Sequence, residues 1–433
     1  MSGFLKPLSV ALKGKGPLTF IKRAWTLSRR YGPTTARMDR SLAQLVDVLR
    51  RYECHATLPI TAVALERNPA VAQKYQEQGV EFAIHGYRHI DYSQLGLAEQ
   101  RTHLEQARQI FAAAGIRVEG FRCPYLRENA DTLTALSQAG LVYDSSPSLV
   151  WEVAAQHKTE SYARVLDFYG ARPAAEHLAL PALHSPHGLV RIPYCLPDDE
   201  SLIERLHWTS PAEMEQVWPA MFQDIHARGE LFTLGLHPER AGACAGALVA
   251  TLEQVRAAGA AVWRARLGEI AAWWRARAAA ALEVTPLQDD GVQLALGGPP
   301  GVTLLLRGLE ARTRTVPHAD GYRQAVEWPC VVRVARRPFI GLSPDAHPAL
   351  ADFLKQQGYI IETTSEPARY AFYLDQSKFS LHEGRRLLAR IETTQAPLAR
   401  LGRWPNGARS AFAVTGDIDA LTLWDYIQRL REK

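Results

Sequence analysis

The five cysteines (Cys54, Cys123, Cys195, Cys244 and Cys330) stand far apart and form no Cys-x-x-Cys pair. That favours a reducing compartment and no cysteine metal site. No N-terminal apolar run is long enough for a signal peptide or a membrane span, so the expected location is the cytoplasm. There is no internal repeat and no long low-complexity tract. The net charge of +5 over 433 residues is too small to point to nucleic acid, and no such partner is expected. Acid is almost missing from the first forty residues. Lys6, Lys13, Lys15, Lys22, Arg23, Arg29, Arg30, Arg37 and Arg40 face only Asp39. With Phe20, Ile21, Trp25 and Leu27 interleaved, this stretch fits a basic helix lying on an anionic membrane surface. A helix packing its apolar side on its own domain fits the same pattern and is the simpler expectation.

What is present is a full globular composition, 47% hydrophobic and 22% charged. The length exceeds one ordinary domain, so two domains, or one with an insertion, are expected. Helical periodicity predicts a helix over 41–50 with Ser41 as cap. A strand over 54–63, a helix over 69–78 and a strand over 80–84 follow. Helices at 98–114 and 129–139 alternate with short strands ending near Arg122 and Asp144. A strand at 189–193, a helix at 211–227, a strand at 231–236, a helix at 245–258, a strand at 261–264 and a helix at 267–277 continue the pattern. Such alternation implies a parallel sheet or barrel covered by helices, with its chemistry at the strands' C-terminal ends. His85, Arg122, Asp144 and His237 all fall there.

The character changes near Leu282. Short strands broken by Gly297-Gly298-Pro299-Pro300-Gly301 read as a small β-rich or α+β domain over 281–400, without clustered His or Cys and without a Gly-rich phosphate loop. Residues 409–415 then return to a buried-strand pattern that runs into Gly416-Asp417-Ile418-Asp419 and a helix over 420–431. The chain thus divides into a basic segment 1–40, a main unit 41–280, the insertion 281–400 and a closing piece 401–433.

His85 and His89 stand four apart in Ile84-His85-Gly86-Tyr87-Arg88-His89. If the second half winds into a helical turn, both imidazoles share a face and can hold a divalent ion. A pair alone also fits two partly buried histidines at a strand end. A third ligand, usually a carboxylate, would decide between them.

Taken in order, four motifs resemble the polysaccharide deacetylases, the carbohydrate esterases of the NodB-homology type. His85-x-x-x-His89 is similar to the family's metal motif, and Arg122-Cys123-Pro124-Tyr125 to its Arg-x-Pro-Tyr. Asp144-Ser145-Ser146 and Leu234-Gly235-Leu236-His237-Pro238 are similar to its two later motifs. The likeness covers roughly 41–275. The family's opening acidic motif is absent from 15–35, whereas Val414-Thr415-Gly416-Asp417-Ile418-Asp419 resembles it in its Asp-x-Asp form. The resemblance therefore implies a circularly permuted deformed (β/α) barrel, its C-terminal strand lying beside strand 54–63 and helix 420–431 packing outside. A truncated second copy, with an inactive N-terminal unit, is the competing account.

The resemblance further implies one divalent ion, zinc first, with cobalt, nickel, manganese or iron as alternatives. His85, His89 and Asp419 would be ligands and Asp417 the general base, aimed by Arg122. The Tyr125 amide would serve the oxyanion and His237 would be the general acid, with Asp144 also among the catalytic residues. The roles of Asp417 and Asp419 could be exchanged. The implied activity is removal of an N-acyl group, acetyl or formyl, from an amino sugar, with a lipid- or nucleotide-linked sugar favoured by the expected cytoplasmic location. Asp198 and Asp199 are placed near that pocket. The other class of function is a non-catalytic carbohydrate-binding or scaffold protein on the same fold.

Overall fold

The computed structural model describes residues 30–431 except 185, 209 and 289. The main body is a twelve-stranded, mostly parallel sheet. Its strands are β1 (Ala56–Ile60), β2 (Glu81–Ile84), β3 (Gly120–Phe121), β4 (Tyr143–Asp144), β5 (Ser148–Val150), β6 (Arg172–Pro173), β7 (Ala182–His184), β8 (Leu189–Arg191), β9 (Tyr194–Leu196), β10 (Leu231–Gly235), β11 (Val262–Arg264) and the C-terminal strand Ser410–Thr415. The stretches 143–150 and 189–196 run side by side, pairing first as β4 with β8 and then as β5 with β9. Since β4 also joins β3 and β9 joins β10, the sheet curls back on itself as a deformed (β/α) barrel.

The C-terminal strand is the centre of this sheet. All six of its residues are buried. It pairs in parallel with β10 (Leu231↔Ala411 to Gly235↔Thr415), with β1 (Ala56↔Val414, Thr57↔Thr415) and with β11 (Val262↔Ser410 to Arg264↔Phe412). Its Ser-Ala-Phe-Ala-Val-Thr run is apolar on both faces, as a strand buried on both sides must be. Beyond it, Gly416 passes so close to β10 that a Cβ there would lie 1.8 Å from the Leu236 carbonyl oxygen. Only glycine lets the chain through and sets Asp417 at the strand's mouth.

Three sequence expectations are corrected here. The first helix begins at Ala36, so Ser41 lies within it and caps nothing. Leu42, Leu45 and Leu49 of that helix are buried against the barrel, and burial of its apolar stripe extends it past the polar start signal. No helical turn follows His85. Gly86 adopts φ +78°, where a Cβ would meet the Arg88 carbonyl at 2.8 Å, and an open loop carries His89. The last helix, Leu423–Arg431, does not pack on the outside. Its Tyr426 and Arg429 line a cleft at the strands' C-terminal ends, and Tyr426 stacks on Tyr31 at 5.6 Å. The basic stretch up to Arg29 lies outside the described residues. Arg30 pairs with Glu204 at 2.6 Å at the same cleft.

The strands between 281 and 401 join three separate sheets, two of four strands and one of three. They stand at the barrel end away from the cleft. There Arg385 bonds the His177 carbonyl and pairs with Glu230, and Gln356 exchanges hydrogen bonds with Leu183 of β7. Among the described residues no helix is long and apolar enough to cross a membrane.

Candidate metal centre and active site

Five strand ends deliver the site. His85 follows β2, Arg122 follows β3, Asp198 and Asp199 follow β9, His237 follows β10, and Asp417 and Asp419 follow the C-terminal strand. Parallel strands put all their C-terminal ends on one side, so residues far apart in sequence meet there. His85, Asp198, His237, Asp417 and Asp419 line a cleft of about 270 Å³, with Arg122 and Asp199 buried behind it.

The His85 ring makes a 3.0 Å hydrogen bond through Nδ1 to the Arg122 carbonyl. A carbonyl only accepts, so Nδ1 carries a proton and Nε2 is the ring atom turned to the cleft. Nε2 faces two carboxylates, Asp419 Oδ1 at 3.5 Å and Asp417 Oδ2 at 3.6 Å. His89 Nε2 lies 3.3 Å from the same Asp419 Oδ1. Burial and the nearby Arg429 and His85 hold His89 well below the usual histidine pKa despite Asp419, so its ring is neutral. Asp419 Oδ1 is buried and accepts no hydrogen bond. The Nε2 atoms of His85 and His89 thus converge on the unpaired Asp419 Oδ1, a donor set that suits a cation.

The three donors fit a divalent ion. Tetrahedral coordination with bonds of about 2.1 Å spaces neighbouring donors by about 3.4 Å, close to the observed 3.3 and 3.5 Å. The nitrogen-rich set of two imidazoles and one carboxylate suits zinc and its first-row neighbours. The Nδ1–H to carbonyl bond of His85 is the kind of outer contact that orients a ligand imidazole.

Asp417 is held differently. Its Oδ1 accepts a 2.7 Å hydrogen bond from Arg122 Nη1. Arg122, fully buried, also donates to Thr415 Oγ1 at 2.9 Å and to Ser145 Oγ at 3.0 Å. Burial pushes the Asp417 pKa up, but His85, Arg122 and His237 together outweigh it and keep the carboxylate ionised. Asp419 is held further down, its burial overcome chiefly by the Arg429 charge. Each carboxylate gives one oxygen to a guanidinium, Asp417 to Arg122 and Asp419 to Arg429; of the other two oxygens, Asp419 Oδ1 faces both imidazoles and Asp417 Oδ2 faces His85 alone.

On the opposite wall, the backbone N–H of His237 donates to Asp199 Oδ1 at 3.2 Å, and its ring Nδ1 donates to the same oxygen at 2.8 Å. Burial alone would lower the His237 pKa. The Asp199 charge reverses this and raises it well above the usual value. Asp198 lines the cleft, accepts from the Tyr194 hydroxyl at 2.9 Å, and is raised by burial and by Asp199 to about 6. The sequence pointed to this acidic pair but not to the His237–Asp199 contact. Its one signal was position, two acids directly after a strand.

Tyr125 borders the cleft with its ring 4.4 Å from that of His89, edge to face. Its φ of +60° is left-handed, which for a bulky residue costs about 1–3 kcal/mol and persists only where neighbours enforce it. Asp144 does not join the cleft. It is fully buried, pairs with Arg191 at 2.9 Å and accepts hydrogen bonds from the Ser146 amide and hydroxyl. Ser146 Oγ in turn accepts from the Cys123 amide at 2.8 Å. Asp144 therefore braces the Arg122–Tyr125 turn from behind.

A family model described as polysaccharide deacetylase matches residues 25–143. The peptidoglycan deacetylase-like protein FGM2 of Gibberella zeae is 34% identical over 86 residues, which cover 20% of this chain and 25% of that protein. The chain thus spans about a quarter of the length of the curated relative it matches. A solved structure from Mycobacterium smegmatis, described as a polysaccharide deacetylase, is 22% identical, covering 59% of this chain and 83% of that one with a TM-score of 0.45. PuuE allantoinase is 21% identical over 55% of this chain and 72% of its own, with a TM-score of 0.44.

Proposed function

We propose, from the likeness of residues 25–143 to the polysaccharide deacetylases, that this chain is a metal-dependent hydrolase removing an N-acyl group from an amino sugar. The observation that carries the reading is the convergence of His85 and His89 on the unpaired Asp419 Oδ1, with Asp417 beside it. These residues come from the two ends of the chain, which supports the circularly permuted arrangement. Bound to His85, His89 and Asp419, a divalent ion, zinc first, would polarise an acyl carbonyl and bring the pKa of water from about 15.7 towards about 7.

The side chains supply the proton transfers. Asp417, ionised and aimed by Arg122, takes the proton of the attacking water. The Tyr125 amide would serve the oxyanion. His237, kept protonated by Asp199, gives its proton to the departing amine. A scaffold without turnover has no need for a clamped base opposite a raised acid. The substrate class proposed is an acetylated or formylated amino sugar on a lipid or nucleotide carrier. The proposed setting is the cytoplasm, consistent with five free, buried cysteines, with membrane contact through the basic N-terminal stretch.

His237→Ala is expected to lower turnover of an N-acetylated amino sugar by about 10²–10⁴-fold while metal content stays at the parent level. Because Asp199 raises the His237 pKa, the acid form is present at neutral pH and activity falls as pH rises through that pKa. Asp199→Asn should therefore move the alkaline limb of the pH–rate profile down by about 1–3 units. An alkaline limb that stays in place in Asp199→Asn, or a His237→Ala variant that loses its metal, would remove His237 from the acid role.

A further inference from the structure

Arg429, six residues into the last helix, reaches the metal pocket. Its Nη1 pairs closely with Asp419 Oδ2, and its Nη2 lies 3.3 Å from His89 Nε2. Tyr31 stacks on Tyr426 of the same helix, and the Leu423 amide donates to the Gly32 carbonyl at 2.8 Å. Asp425 bonds Arg67 and Asn68. These contacts fix where the helix delivers the guanidinium.

The His89 contact has only one chemical form. A guanidinium donates and cannot accept, so the bond requires the Nε2 lone pair. That is the lone pair a metal would need, since Nδ1 of the same ring points away and is buried without a partner. One lone pair serves one acceptor bond. Charge points the same way. Asp417 and Asp419 are balanced by Arg122 and Arg429, so the pocket offers an incoming dication no net attraction from these four groups. Without Arg429, one negative charge is left uncompensated beside the ligands.

We infer that Arg429 is a resident cation of the metal pocket, competing with the divalent ion for His89 Nε2 and keeping metal affinity low enough for exchange. Metal entry breaks the Arg429–His89 bond and leaves the guanidinium on Asp419 Oδ2, where it still orients the carboxylate. This rests on the metal-binding reading above but concerns a residue outside the ligand set.

The test is zinc affinity by competition with a chromophoric chelator, on the full chain, for the parent, Arg429→Gln and Arg429→Lys. Arg429→Gln is expected to bind zinc at least tenfold more tightly, with faster zinc uptake. Arg429→Lys keeps the charge but cannot span both partners, and should fall between. The sign is diagnostic, because an arginine that only positions Asp419 would weaken binding when removed. Equal or weaker affinity in Arg429→Gln overturns the inference and leaves the metal reading intact. Zinc binding by neither the parent nor the variant would instead remove the metal reading itself, and the inference with it. If Arg429→Gln fails to fold, Arg429→Met gives the same comparison, its folding checked by circular dichroism.

Discussion

Asp417→Asn is expected to keep its bound ion and lose hydrolysis towards the upper end of about 10²–10⁴-fold. The amide has the size of the carboxylate but accepts no proton at neutral pH. It also leaves Arg122 buried without its counter-charge, so stability should fall, by about 3–5 kcal/mol for a broken buried pair. Arg122 keeps its bonds to Thr415 and Ser145, which favours a folded variant. Elemental analysis and turnover, measured on the same preparation, separate the two roles. A variant that loses metal would make Asp417 a ligand.

A chain ending at Leu401 should not yield a soluble folded protein. It loses the strand that three others pair with, leaving the backbone groups of β1, β10 and β11 without partners inside the barrel. Unpaired buried backbone is costly at every position. Solubility on expression and circular dichroism check this. A soluble, helical product with a cooperative melt would show the N-terminal part to be complete without its last strand.

Much of this was legible because strand ends carry the chemistry. His85, Arg122, His237 and Asp417 each follow a short apolar run, and such runs are readable without knowing their neighbours. The buried character of 409–415 also showed that this strand needs partners on both sides. What was missed depends on contacts far apart in sequence. Asp144 looks like its neighbours in the motif series, but its partner Arg191 lies 47 positions on. Asp199 acts through His237, 38 positions away. Arg429 sits on an amphipathic helix where a basic residue reads as solvated surface, and only the placement of that helix across the cleft brings it to Asp419. The helical turn expected after His85 failed for a local reason, since Gly86 takes a left-handed conformation between the two histidines.

The central claim is that one ion is held jointly by histidines from the first hundred residues and by Asp419, fourteen positions before Lys433. The most direct test is the zinc stoichiometry of Asp419→Asn in the full chain, measured after dialysis against a weak chelator. The account predicts a folded protein with far less than one equivalent, as for His85→Ala and His89→Ala, while the parent retains one. A full equivalent in folded Asp419→Asn would contradict it.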